Sequence, residues 1–246
     1  MGMRFALLML AGCGRIAFAP IETDGGPEDA AADEADAPPI DAAGWRGPAF
    51  VVAGSTFQGP ATTTLTAGIA ELRATDLMVL AVGWNDAIAT VTLVDDSAGE
   101  QFTQLTPVHR GGAMSQQLFI CATPVAATND TVTVTFSQAV VNASLRITVF
   151  ENAQQVTTLP IAAAGGTSTT ASVFIDTDTA ESLVVAAVAG SFDAGAGPGY
   201  TVRAATSGVR HIVEDTEVPV AGTHEARATF SLPADWVIQA VALRPR

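Results

Sequence analysis

From Trp45 onward two hydrophobic patterns alternate along the chain, and both belong to strands. In the first, apolar and polar residues alternate. Thr131-Val132-Thr133-Val134-Thr135-Phe136 puts both Val and the Phe on one face and the three Thr on the other. Leu145-Arg146-Ile147-Thr148-Val149 does the same, with Arg146 and Thr148 expected outward, and so does Ala226-Arg227-Ala228-Thr229-Phe230. In the second pattern, residues 77–82 and 183–188 are apolar throughout, which suits strands covered on both faces. No stretch carries a helical period, so no long helix is predicted. Between the runs lie clusters of turn-forming residues. Asp95-Asp96-Ser97-Ala98-Gly99-Glu100 is expected to close a hairpin between strands at 90–94 and 101–105, and Ala194-Gly195-Ala196-Gly197-Pro198-Gly199 reads as a loop.

The pattern occurs twice. Residues 77–82 resemble 183–188, and residues 124–136 resemble 219–230 with one residue deleted; each copy then ends in one more strand, at 145–150 and 236–243. The expected fold is all-β: an antiparallel two-sheet sandwich, jelly-roll-like, with an internal duplication, spanning residues 45–246. Two separate small domains are the alternative, divided at Ala162-Ala163-Ala164-Gly165-Gly166, the one stretch of linker-like composition between the halves. The strand pattern resembles the secreted β-sandwich domains of bacterial surface and extracellular proteins.

Residues 1–13 have a different texture. One positive charge, Arg4, precedes an apolar run from Phe5 to Ala11 that is too short for a membrane span and has the layout of a secretory leader. Leu10-Ala11-Gly12-Cys13 resembles the bacterial lipobox. That resemblance implies a signal peptide at 1–12, cleavage before Cys13, and lipid on the Cys13 thiol as the link to a membrane. Gly14 follows the cysteine, where an Asp would resemble an inner-membrane retention signal, so an outer-membrane or cell-surface location is implied.

Charge extends the picture. The 246 residues hold 25 acidic side chains against 11 basic ones, all Arg, for a formal charge of -14. Eight carboxylates, from Glu22 to Asp41, stand between Arg15 and Arg46 without a basic residue among them. Such a run repels itself and buries too little apolar surface to offset its ordering entropy. Residues 13–44 are therefore expected to be a disordered acidic tether, up to ~100 Å long if fully extended. The acidic balance also disfavours nucleic acid, whose phosphates call for a basic patch.

Candidate chemistry is sparse. Cys121 lies in an apolar run and reads as a buried, inert thiol. His109, His211 and His224 lack a nucleophile elbow or a ligand spacing, so no catalytic residues, metal ligands or cofactor are assigned and no enzyme is expected. The carboxylate pairs Asp95–Asp96 and Glu214–Asp215 suit turns and strand ends as well as a glycosidase site. Asn85, Asp86, Asp95 and Asp96 are the group on which calcium would be tested, although their spacing is not a motif. Carbohydrate-binding modules with a jelly-roll architecture pair an aromatic face with a few polar groups on a loop rim. By that analogy Trp84, Asn85 and Asp86, at the end of one apolar strand, and Phe192 and Asp193, at the end of its counterpart, are the candidate ligand-binding residues. The expected partner is a polysaccharide or a protein. The competing reading is a structural lipoprotein that assembles through its sheet edges.

Overall fold

Alternation and continuous apolar runs both become strands in the computed structural model, which describes residues 45–246 apart from Ser207 and Val209. The leader, Cys13 and the tether expected at 13–44 lie outside the described residues. The first copy forms β1 (Ala49–Gln58), β2 (Thr62–Leu72), β3 (Leu77–Asn85), β4 (Val91–Asp96), β5 (Thr103–Gln104), β6 (His109–Gly111), β7 (Met114–Cys121) and β8 (Ala127–Glu151). The second forms β9 (Ile161–Thr177), β10 (Ser182–Gly190), β11 (Ala194–Ala196), β12 (Thr201–Ala205), β13 (His211–Val218) and β14 (Gly222–Leu243). The protein is an all-β sandwich of two antiparallel sheets, eight-stranded in the first copy and six-stranded in the second.

Each sheet doubles back on itself because its last strand is long and bent. The first part of β8 pairs with β2 and β4, the second part with β1 and β3. In the second copy, the first part of β14 pairs with β11, the second with β10, and β9 runs along both. The alternating runs expected as separate strands at 131–136 and 145–149 are thus one strand. Asn142, at φ 49°, stands where β8 changes partners. Folding over gives each copy an outer and an inner layer with a core between them. Leu65, Ile69, Leu80, Trp84 and Ile147 lie in the first core, and Val184, Val188, Phe230 and Ile238 in the second.

The two inner layers then pack on each other, and this is why residues 77–82 and 183–188 need no polar face. On β3, Met78, Leu80 and Val82 enter the first core while Leu77, Val79 and Ala81 meet the second copy; on β10, Leu183, Val185 and Ala187 meet the first. The shared face holds ten side chains larger than alanine, among them Leu118, Phe150 and Leu243. At about 1.5–3 kcal/mol each, they contribute on the order of 20 kcal/mol before entropy is counted, more than the net stability of an ordinary domain. Both copies belong to one compact unit.

Four expectations change. The loop expected at residues 194–199 opens as a short strand, β11, whose Ala194–Ala196 pairs with β14. Thr148 and Arg146 do not face outward. Thr148 is fully buried, and so is Arg146, in the face between the copies, because a strand of an inner layer has no solvent side. Its Nη1 donates to the Val188 carbonyl (2.8 Å) and the Ile212 carbonyl (2.9 Å), and its Nη2 to Gln116 Oε1 (2.9 Å). Residues 95–100 do not close a hairpin. β4 pairs with β8, whereas Thr103–Gln104 pairs with β7, so the loop crosses from the outer layer to the inner one. The linker-like segment at 162–166 lies inside β9. Its residues are small because the β6–β7 turn presses on them; a Cβ at Gly165 would stand 2.7 Å from the Arg110 carbonyl oxygen.

Two predictions rest on this packing. Arg146→Ala leaves a cavity and strips the Val188 and Ile212 carbonyls and Gln116 of a donor, so it is expected to cost about 3 kcal/mol or more. Chemical denaturation should still show a single transition, with Arg73→Ala, an exposed residue, within about 0.5 kcal/mol of the parent. The second concerns Glu214, fully buried on β13, whose carboxyl is pushed up to about 8 from an ordinary value near 4.5, chiefly by burial and further by Asp215. The folded state then holds a proton that the unfolded state releases, so Glu214 favours folding at low pH and loses that contribution as pH rises through 8. His211, buried and held well below its ordinary value, acts in the opposite sense, since acid below about 6.5 protonates only its unfolded form. Comparing Glu214→Gln with the parent cancels the His211 contribution. The denaturation midpoint of the variant should gain on the parent's between about pH 5 and about pH 9; parallel curves would show that Glu214 titrates normally.

Candidate functional site

Where β4 ends the outer layer of the first copy and β5 ends the inner one, no described strand closes the gap between them. A groove of about 410 Å³ opens there, lined by Leu93, Asp95, Gln101, Phe102, Gln104 and Phe119 among others. Leu93, Asp95, Gln101 and Gln104 are exposed, Phe102 is half-buried and Phe119 lies mostly in the core. The groove therefore sets aromatic and aliphatic surface beside two amides and a carboxylate. The strand alternation of β4 supplies Leu93 and Asp95 to one side, and the crossing of residues 97–100 carries Gln101 and Phe102 to the other.

At the end of this groove three carboxylates converge. Asp96, Glu100 and Asp130 each offer one ligand atom, and these atoms lie within 4.8 Å of one another. One oxygen of each carboxylate is tied to local backbone or to a hydroxyl. Asp96 Oδ1 accepts from the Gly99 N–H (2.7 Å) and the Glu100 N–H (2.8 Å), which holds the turn that Gly99 permits at φ 80°. Glu100 Oε1 accepts from the Val125 N–H (2.8 Å), and Asp130 Oδ1 from Ser97 Oγ (2.5 Å) and the Thr131 N–H (2.7 Å). The second oxygens, Asp96 Oδ2, Glu100 Oε2 and Asp130 Oδ2, are buried and meet no N–H or hydroxyl donor among the described residues. Glu100 is 5% exposed and Asp130 2% exposed. Burial, then the hydrogen bond that a protonated Glu100 makes with Asp96 and the charge of Asp96, and last the charge of Asp130 push the Glu100 carboxyl up to about 7. Cys121, next to this group, is pushed up to about 12 by burial and by Glu100, so it remains a thiol.

The residues singled out from sequence fall in different places. Trp84 is fully buried, edge-on to Phe136 with ring centroids 5.5 Å apart, and offers no face to a ligand. Its place on β3 points into the first core, so it is corrected from rim residue to core residue. Asn85 and Asp86 are half-buried at the end of β3. Asp86 Oδ1 accepts from the Ile88 N–H (2.6 Å) and the Ala89 N–H, and its Oδ2 from Gln138 Nε2 (3.1 Å). These bonds, led by the one from Ala89, hold its carboxyl below the usual range and leave it committed to its own loop. Phe192, 40% exposed, and Asp193 stand free at the matching end of β10.

The quartet Asn85, Asp86, Asp95 and Asp96 is not brought together, since β4 runs between Asp86 and the Asp95–Asp96 pair; Asp96 instead meets Glu100 and Asp130. Glu214 and Asp215, adjacent on β13, face opposite sides of the strand. Glu214 accepts from the Gly197 N–H, and Asp215 is gripped by Arg203 Nε at 2.9 Å. The histidines are scattered as well. His109 lies on β6, His224 on β14, and His211 Nδ1 shares a 2.6 Å hydrogen bond with Ser144 Oγ in the face between the copies. Sequence reasoning missed Glu100 and Asp130 as partners because Asp130 sits in a polar stretch near the start of β8, far in sequence from the loop at 97–100. A signal was present, however, in two acidic residues bracketing the loop that follows β4. Compared with models of known protein families, with curated proteins and with solved structures, the chain matches none.

Proposed function

We propose that the chain is a lipid-anchored protein of the bacterial envelope whose β domain is a non-catalytic binding module, and that the groove beside β4 and β5 is its contact surface for polysaccharide. The observation that carries this reading is the composition of the groove. Phe102 and Leu93 supply apolar surface against which a sugar ring can lie, and Gln101, Gln104 and Asp95 supply donors and acceptors at its margin. The lipobox, the acidic tether and the domain follow one another in the order that displays such a groove away from a membrane. The exposed Phe192 and Asp193 would form a second, smaller contact.

Assembly through sheet edges is less well supported. The edge strands β1, β2, β4 and β12 each carry a shift of register, at Phe50/Val52, Thr62/Thr64, Val91/Leu93 and Val202/Ala204. Such irregularities twist an edge away from a flat partner strand.

Two experiments test the proposal. A glycan array probed with the whole chain should give binding that Phe102→Ala weakens by about tenfold or more, the scale of one lost aromatic contact. Gln104→Ala, at an exposed position, should weaken it without changing the thermal midpoint, which separates lost contact from lost fold. No binding to any glycan, with a stable oligomer in solution, would favour the edge reading instead. For the anchor, globomycin should cause the precursor to accumulate, and Cys13→Ser should abolish membrane partitioning. A chain that matures and stays soluble despite the drug, with the Cys13→Ser variant behaving identically, would rule out the lipid.

A further inference from the structure

We propose that Asp96, Glu100 and Asp130 bind one calcium ion, which ties the loop at residues 97–100 to the start of β8 at the end of the groove. Acidic residues gather on many surfaces without a ligand. These differ because Glu100 and Asp130 are more than nine-tenths buried, and each of the three carboxylates keeps one buried oxygen that meets no N–H or hydroxyl donor among the described residues. Leaving a buried acceptor unsatisfied is destabilising, more so for a charged group, so three together call for a shared cation.

The geometry suits that ion. Two oxygens bound at 2.3–2.6 Å to one calcium stand up to ~5 Å apart, and the three ligand atoms lie within 4.8 Å of one another. The donors are all carboxylate oxygens, the set that favours a hard cation over zinc or copper. Calcium takes 6–8 oxygens in irregular geometry, so bidentate carboxylates and water complete the shell.

The second copy supplies an internal control. Counting back from the matching core residues Phe136 and Phe230, Asp130 corresponds to His224, and these residues lie opposite Ile69 and Ile175. Asp96 corresponds to Pro198 in the same way, through Val94 opposite Val134 and Ala196 opposite Ala228. Tyr200 stands in the loop there, its hydroxyl donating to the Glu225 carbonyl (3.2 Å). The same fold thus builds this corner without the three acids, with Glu214 reaching the Gly197 N–H from β13 instead, so the fold itself does not require them.

The inference does not depend on what the groove binds: a calcium response without glycan binding would leave it standing. The test uses the whole chain stripped with EDTA, its denaturation midpoint followed as CaCl2 is added. At a calcium concentration ~100-fold above the dissociation constant the midpoint should rise by about 5–10 °C. Glu100→Gln and Asp130→Asn should lose the shift, whereas Asp95→Asn, an exposed neighbour, should keep it. The tether carboxylates are unchanged in every variant, so loose binding there cancels from the comparison. Circular dichroism checks that each variant is folded. If Asp130→Asn is not, Glu100→Gln decides, because its amide oxygen still accepts from the Val125 N–H. No shift in the parent chain at millimolar calcium, an equal shift in Glu100→Gln, or an equal shift with MgCl2 alone would each overturn the proposal.

Discussion

Two strands without a polar face hold the domain together. β3 and β10 are buried along almost their whole length on both sides, and each can be satisfied only if its own copy covers one face and the other copy covers the second. The bends in β8 and β14 follow from the same demand. A sheet that must cover an inner strand from its own side folds over it, and one long strand serving both layers accomplishes this without another connection. The apolar gain across the shared face, before entropy is counted, exceeds the net stability of a typical domain, so parting the copies would be costly.

That face is not uniformly apolar, and the exceptions are informative. Arg146, Gln116, Ser144, His211 and Gln239 are all buried there. Their bonds cross between the copies: Arg146 to Val188 and Ile212, Gln116 Nε2 to the Ala187 carbonyl (2.9 Å), Gln239 Nε2 to Thr106 Oγ1 (2.8 Å). Burying a guanidinium with no carboxylate beside it costs several kcal/mol, and burial pushes its pKa down to about 9. The surrounding apolar contacts outweigh that cost. In return the polar groups fix register, because sliding one inner layer past the other by a residue would take Arg146 away from its acceptors while leaving the apolar contacts roughly as good.

Much of this architecture was legible in the sequence because it rests on period. Alternation at 131–136, continuous burial at 77–82 and 183–188, and the repeat of both are consequences of which faces are covered. What could not be read was how many layers cover them. Arg146 was assigned outward because alternation separates two faces without saying what lies beyond either, and Trp84 was assigned to a rim because a strand end resembles an exposed one. The Ala-Gly segment at 162–166 resembles a linker for a similar reason: small residues serve flexibility and close backbone packing equally well, and only the neighbouring Gly111 shows which. At the candidate site, Asp96 and Glu100 share a loop, whereas Asp130 reaches them through the pairing of β4 with β8, and long-range pairing leaves little trace in local pattern.

Duplication makes it possible to separate what the fold needs from what it merely carries. Phe136 and Phe230 recur at matching places because both cores need them. Trp84 has no such match: the corresponding position is Gly190, where a Cβ would stand 2.3 Å from the Phe230 ring, so one copy fills that volume from β3 and the other from β14. That difference is an exchange of one packing solution for another. The acids at 96, 100 and 130 are a difference of another kind. Replacing Pro198 and His224 by carboxylates improves no packing and adds buried charge, a destabilising change unless something binds it. Since a copy without the three acids folds into the same corner, the sandwich itself does not call for them, whereas the proposed cation would.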